Sequence, residues 1–350
     1  MTILQIGQRS VGDGRPTFII AEIGINHNGD INLAHRLIDQ AAEAHCDAVK
    51  FQNYRTEDFI FDRSLVHKYV SQGIEVSESQ FELFKRCELS PSTFAELAEH
   101  CKGRGIIFLS TPTSEKGIRE LIDLGAPALK NGSDYLVNLP LIRAMGQTGL
   151  PCILSTGKGT LDEITEALHA FRDGGGKDVI LLVCTSLYPA VATELHLRRI
   201  PAMAAKFGVP VGLSDHSEGI LAALGAVALG ACVVEKHFTL DKRMPGPDHR
   251  FSADPTELRL MVESIRTLEI ELGDPTIGPT RGELKTRNKC RLSCVAATNL
   301  KSGYSITEAD IAFARPGTGF PPKIKERLVG CRLVRDITRG HVFASEDFEG

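Results

Sequence analysis

Eight short apolar runs lie between residues 18 and 238, and nearly all of them end in a polar, chemically useful side chain. They are FIIAEIG (Glu22), DAVKFQ (Lys50, Gln52), GIIFLST (Thr111), PALKNGS (Lys130, Ser133), PCILST (Ser155), VILLVCTS (Ser186), VPVGLSDH (Ser214, His216) and ACVVEKHF (His237). The gaps leave room for one helix and two loops each. Residues 32–44, 91–105, 114–125 and 160–175 carry apolar residues three and four apart, as a helix requires. Ser114 and Thr160 stand where helices start, and Gly125 and Gly174 where they stop. This alternation predicts an α/β fold, a (β/α)8 TIM barrel of parallel strands. Barrels of this kind build their active sites at the carboxyl ends of the strands, so the polar run ends mark a ring of candidate site residues.

One interval breaks the rhythm. More than fifty residues separate Gln52 from Ile106, with an insertion over 54–88 that holds a short helical pattern at Glu78–Cys87. It follows the second strand and so falls on the catalytic face, either as a lid or substrate wall or as a plain surface excursion. The barrel is expected over residues 1–272, closing on a helix at Thr256–Leu272. Residues 273–289 open on the Gly- and Pro-rich GDPTIGPTRGE and read as a linker. Residues 290–350 read as a small β-rich domain, with short β-like pieces in RLSCVAA, ADIAFARPG, RLVGCRLVRD and HVFASEDF. A unit of about 60 residues is only marginally stable alone, so it is expected to pack on a neighbour.

Several function classes are excluded. The net charge is −4 with no basic tract, which argues against nucleic acid or an anionic membrane as a partner. The longest apolar stretch, Ile220 to Val234, is 15 residues, too short to span a bilayer. The nine cysteines form no C-x-x-C pair, and most read as reduced core residues of a cytoplasmic protein. Cys184 is the one near the proposed site, and its surroundings in LLVCTS read as apolar, which argues against a nucleophilic role. No Walker A loop, G-x-G-x-x-G or G-x-S-x-G is present.

His216 and His237 end the last two strands, which adjoin in a barrel. Two imidazoles so placed can share a divalent cation, or can be two hydrogen-bonded histidines. Exposed surroundings without thiolates favour Mn or Mg, completed by water and carboxylates. Lys50 and Lys130 sit inside apolar runs, so each needs an anionic partner: a ligand, or an internal carboxylate such as Glu22 or Glu235. With the hydroxyls of Thr111, Ser133, Ser155, Ser186 and Ser214 they suit a small anion bearing phosphate and carboxylate. Glu22 can act as acid, base or water-orienting group. Asp248 can bind sugar hydroxyls or metal, or stabilise its own loop.

The phrases FIIAEIGINHNG, DAVKFQ, FLSTP, GVPVGLSDH, EKHFTLD and MPGPDH resemble the sialic-acid synthase family, and ARPGTG resembles that family's C-terminal antifreeze-like (SAF) domain. The resemblance runs over almost the whole chain. It implies condensation of phosphoenolpyruvate with an open-chain N-acylated hexosamine, typically N-acetylmannosamine, to give a nine-carbon 2-keto acid and phosphate. It implies a divalent metal, commonly Mn, on His216 and His237. It places phosphoenolpyruvate on Lys50, Thr111, Lys130, Ser133, Ser155, Ser186 and Ser214, and the sugar on Glu22, Gln52, Tyr188 and Asp248. It implies a homodimer in which the C-terminal domain covers the partner's barrel, with Arg315 reaching the N-acyl group in trans.

Asn131, Val183, Lys158, Ser186 (where some members carry Asn) and the stretch HKYVSQGIEVSESQ depart from the family's commoner pattern. They leave the anion and metal residues intact and leave the sugar open: N-acetylmannosamine, its 6-phosphate, or a 2,4-diacetamido sugar leading to legionaminic acid. Two readings from other classes are a metal-dependent barrel hydrolase and a non-catalytic sugar- or surface-binding protein. The first lacks an H-x-H at strand one, where IGINHNG offers a single His27. The second leaves the strand-end chemistry unused.

Overall fold

The computed structural model describes residues 3–349 of the 350, in two compact units, Met1–Gly273 and Asp274–Gly350. The first opens on an antiparallel hairpin of β1 (Ile3–Ile6) and β2 (Arg9–Gly12), which the run pattern did not show. The barrel strands are β3 (Phe18–Gly24) and β4 (Ala48–Asn53), then, beyond an inserted hairpin of β5 (Val66–Ser71) and β6 (Ile74–Ser79), β7 (Ile107–Pro112), β8 (Leu129–Asn131), β9 (Cys152–Ser155), β10 (Val179–Cys184), β11 (Val211–Asp215) and β12 (Val233–His237). They pair in parallel in the order β7-β4-β3-β12-β11-β10-β9-β8, and β7 lies against β8 to close the barrel.

Residue parity divides the strands into two faces, because successive strand side chains point to opposite sides. Ile19, Ala21, Val49, Phe51, Phe108, Leu154, Leu181, Leu213 and Val234 are buried together with the helices. Ile20, Ala48, Leu109, Ala128, Ile153, Leu182 and Val233 are buried in the barrel interior, joined there by Leu4, Ile6 and Val11 of the hairpin. The hairpin therefore fills the amino-terminal end, and the strands can become polar only toward their carboxyl ends.

The helices bury one stripe each. Helix Ile31–Glu43 buries Leu33, Ala34, Leu37, Ile38 and Ala41, and its start is fixed by the Asp30 carboxylate accepting from the Asn32 N–H. Helix Leu161–Asp173 starts on a reciprocal cap of Thr160 and Glu163. The closing helix runs Pro255–Leu272. No helix of the described residues is long and apolar enough to cross a membrane.

The second unit has its own small core of Cys294, Leu300, Ile306, Ile311, Leu328, Leu333, Ile337 and Phe343. Two expectations change here. The segment read as a linker over 273–289 contains a helix, Arg281–Cys290, started by Thr280 and Glu283 in the T-x-x-E cap that the preceding Gly and Pro obscured. Only the first two β-like pieces form a ladder, β13 (Ser293–Ala296) with β14 (Ile311–Ala314). The last two make isolated bridges such as Ser305↔Arg332 and Leu333↔Phe348. Buried Asp347 draws Arg335, His341 and the Ala344 N–H into a turn, and that local bonding replaces a ladder.

Candidate active site

The site is the continuation of the interior face, two residues further along each strand. Ile20 leads to Glu22, Ala48 to Lys50 and Gln52, Leu109 to Thr111, Ala128 to Lys130, Ile153 to Ser155, Leu182 to Cys184 and Val233 to Glu235 and His237. Gly212 leads in the same way to Ser214 and His216. These residues line a cavity of about 520 Å³, together with Ser133, Ser186, Tyr188 and Asp248 from the loops above. All thirteen barrel residues singled out from the sequence face it. Arg315 belongs to the second unit, where it is exposed beyond β14.

The floor is a buried charge lattice. Lys50 Nζ lies 2.8 Å from Glu22 Oε2 and donates to Thr111 Oγ1 at 3.2 Å. Lys130 Nζ donates to Ser155 Oγ at 2.6 Å and to the Asn131 carbonyl at 2.9 Å. Glu235 sits between the lysines, 3.9 Å from each, and accepts from Ser214 Oγ at 3.1 Å. Gln52 Nε2 donates to Glu22 Oε1 at 3.2 Å.

Burial sets the proton affinities of this lattice. It pushes the Glu22 carboxyl up to about 7, against the pull of Lys50 and with a further push from Glu235. It also lowers Lys130. Burial works against Lys50 as well, but Glu22 and Glu235 outweigh it and raise that lysine. Burial likewise opposes the Glu235 charge, yet Lys130 and Lys50 hold its carboxyl below the usual range. Two ammonium groups facing carboxylates, one of them easily protonated, can accept a multiply charged anion.

Gly157 shapes the wall beside Lys130. A Cβ there would lie 2.2 Å from Ser186 Oγ and 2.7 Å from Ser133 Oγ. Its bare backbone lets the loop settle on both serines, and its N–H donates to Ser133 Oγ at 3.0 Å.

Opposite stand the histidines, with ring centroids 5.2 Å apart. They are buried, not exposed as expected, because Tyr188 packs 4.3 Å from the His216 ring and Phe251 packs 5.2 Å from that of His237. Cys184 lies at the site as expected, but its surroundings are polar, not apolar: it faces the cavity, with Sγ 3.9 Å from His216 Nδ1 and 3.9 Å from Ser186 Oγ. The alternation that points Leu182 inward points Cys184 inward too. All nine cysteines are unpaired.

The chemistry of the pair fits a cation. His216 Nδ1 donates to the Thr185 carbonyl at 2.8 Å, which leaves Nε2 as the nitrogen a cation would take in place of a proton; burial opposes the charge on this ring, but Cys184, the Thr185 carbonyl and Glu235 raise its pKa. Burial, then the neighbouring His216, holds His237 well below its ordinary pKa, so it is a neutral imidazole. Its buried Nδ1 has no hydrogen-bond partner and lies 3.7 Å from Asp248 Oδ2. Among the described residues no three His, Cys, Asp or Glu side chains converge as a complete ligand set. A cation here would take the two imidazoles and fill its other positions with water or substrate.

The insertion arches over the mouth. Gln72 Nε2 donates to the Arg243 carbonyl at 2.9 Å, and Ser71 Oγ accepts from the Gly246 N–H at 3.1 Å, which ties the β5–β6 hairpin to the loop after β12. Tyr54, Phe59, His67, Tyr69 and Phe84 thereby join the lining, as do Asp134 and Tyr135 from the loop after β8. Tyr54 continues the parity of Lys50 and Gln52 out of β4, whereas no strand-end signal marks the others, which loop folding brings to the cavity. Of the four single-residue departures, Lys158 and Ser186 reach the cavity. Asn131 and Val183 are buried at the opposite strand parity, Val183 in the helix-facing core.

Comparison with known proteins follows this geometry. The model of the NeuB family matches residues 37–276, and that of the SAF domain matches residues 293–349. The chain is 38% identical to N,N'-diacetyllegionaminic acid synthase of Legionella pneumophila over 98% of both chains. It is 39% identical to the enzyme of the same name from Campylobacter jejuni, over 90% of this chain and 95% of that one. Among solved structures, N-acetylneuraminic acid (sialic acid) synthetase of Leptospira borgpetersenii superposes with a TM-score of 0.74 at 34% identity, covering 83% of this chain and 97% of that one.

Proposed function

The chain belongs to the NeuB family, and we propose that it joins phosphoenolpyruvate to an open-chain N-acylated amino sugar, N-acetylmannosamine or a close relative, to give a nine-carbon 2-keto acid and phosphate. The observation that carries this reading is the floor, where Lys50 and Lys130 face one another across Glu235 beneath the two histidines. The lysines with Thr111, Ser133, Ser155, Ser186 and Ser214 hold the phosphate and carboxylate of phosphoenolpyruvate. Glu22, Gln52, Tyr188 and Asp248 hold the sugar.

In the reaction C3 of the enol ester attacks the aldehyde carbon and forms the new C–C bond. The aldehyde oxygen takes a proton. Water adds at C2 and loses a proton, and C–O cleavage then releases phosphate. Glu22, balanced between acid and base near neutrality, is placed to give or take one of these protons. Lys50 and Lys130 stabilise the charge on phosphate without transferring a proton. His216 and His237 would hold a divalent cation, Mn or Mg, which supplies Lewis-acid polarisation of the aldehyde oxygen. Nine unpaired cysteines suit a cytoplasmic enzyme.

The test is phosphate release. With Mn or Mg present, phosphoenolpyruvate should be consumed only when an N-acylmannosamine-type sugar is added. Sugar-independent hydrolysis, or no turnover with any N-acyl hexosamine, would remove the synthase reading.

The reading extends to a homodimer in which Arg315, exposed on its own unit, completes the partner's site. Co-expression of Arg315→Ala with Glu22→Gln tests it. Random pairing makes half the dimers mixed, and one site in each mixed dimer is intact. Activity should return to about a quarter of wild type in a symmetric dimer. A mixture no more active than its parents, with mixed dimers verified by mass spectrometry, excludes the trans arrangement.

A further inference from the structure

We propose that the inner face of the insertion is an apolar subsite that selects amino sugars with methyl groups at their far end, as deoxy and second acylamino positions provide, over sugars ending in a hydroxymethyl or a phosphate ester. This rests on the synthase reading, which places phosphoenolpyruvate on the floor and the aldehyde beside the histidines. The far end of the sugar then points up toward the rim.

At the rim stand Tyr54, Phe59 and Phe84. Their ring centroids are 5.3–5.6 Å apart in edge-to-face contacts, so each ring braces the other two. Tyr54 follows Lys50 and Gln52 at two-residue steps out of β4, and its hydroxyl donates to the Phe84 carbonyl at 3.0 Å. With that hydroxyl committed, Tyr54 offers the cavity a ring. Buried Ile25 and Leu83 complete the patch.

The polar groups of the insertion are mostly committed elsewhere. Tyr69 Oη donates to Glu78 Oε1 at 2.5 Å. Lys85 pairs with Glu57 and Glu88, Arg86 with Glu78 and Arg55 with Glu120, while Arg63 lies over the Phe81 ring. Burial lowers the pKa of His67, which keeps that ring neutral. Lys68 and Lys158 also line the cavity, but both are exposed to solvent. A phosphate dianion against three rings would lose its hydration without a buried cation in exchange, whereas a methyl group gains contact.

The experiment measures kcat/KM by phosphate release from phosphoenolpyruvate with three sugars: N-acetylmannosamine, its 6-phosphate, and 2,4-diacetamido-2,4,6-trideoxymannose. The deoxy diacetamido sugar should lead N-acetylmannosamine by at least about tenfold and the 6-phosphate by about a hundredfold. Phe84→Ala should bring the first ratio to within about threefold, and Phe84→Leu, which keeps an apolar side chain, should restore most of it. Phe59→Ala serves if Phe84→Ala does not fold. Preference for either of the other two sugars, or a variant that slows all three sugars equally, overturns the subsite while leaving the synthase reading standing. Failure of every sugar to drive phosphate release overturns the synthase reading, and the subsite with it.

Discussion

Alanine at His216 or at His237 is expected to abolish turnover, with a loss of at least about a thousandfold in kcat/KM, or about 4 kcal/mol of transition-state stabilisation. The physical basis is the facing pair of imidazoles: His216 orients through Thr185, and His237 presents a buried nitrogen without a hydrogen-bond partner. Removing one leaves a single imidazole, which binds a divalent cation weakly. Calorimetric titration of the sugar-free protein with Mn should show the affinity falling in step with activity. The fold should survive, since both rings border the cavity and water can take the vacated space. Thermal unfolding with a midpoint near wild type would separate lost chemistry from lost structure. Full activity in either variant, or a wild type indifferent to chelator, contradicts the assignment.

The second large effect belongs to the floor. Lys130→Met should lower kcat/KM for phosphoenolpyruvate by about a thousandfold, because truncating one member of a buried hydrogen-bonded charge set costs up to about 5 kcal/mol. The melting temperature should fall as well, because methionine leaves buried Glu235 facing Lys50 alone, and the KM for phosphoenolpyruvate separates lost binding from lost stability. Burial lowers the pKa of Lys130. The sign of the pH dependence follows. A lysine whose folded pKa lies below its unfolded value loses its charge in the folded protein first as pH rises. Affinity for the anionic substrate should therefore fall on an alkaline limb beginning below 10.5, the ordinary value for lysine. Between the folded and unfolded values the unfolded chain binds more protons, so this lysine's contribution to stability rises with pH over that window. A Lys130→Met enzyme with wild-type KM for phosphoenolpyruvate would refute the role.

The strand-end residues converge on one cavity for a physical reason that particular strands show. In VVEKH, Val233 lies in the barrel interior, Glu235 reaches the floor and His237 the mouth, all on one parity. Valine and glutamate two apart can be read in one dimension, because a strand converts spacing into facing. The same rule, applied one step further, places Cys184 in the cavity beyond Leu182. The apolar letters around Cys184 obscured it, since they belong to the helix-facing side.

The remaining features required three dimensions. The amino-terminal hairpin seals the barrel through Leu4, Ile6 and Val11, whose neighbours come from strands spread over more than two hundred residues. The rings of Tyr54, Phe59 and Phe84 meet because two short helices of the insertion fold back on β4. The helix at Arg281–Cys290 depended on a cap hidden in a breaker-rich stretch.

By itself, the sequence determined the barrel, the order of its strands and the ring of polar residues at and just past the strand ends, because each of these follows from local periodicity and from which side chains end a strand; Tyr188 was legible only through the family resemblance. Only the tertiary structure decided that the histidines are buried, that Glu235 bridges the two lysines and that the insertion turns an aromatic face inward. Those depend on distances between residues remote in the chain and on what covers them, quantities that no local pattern encodes.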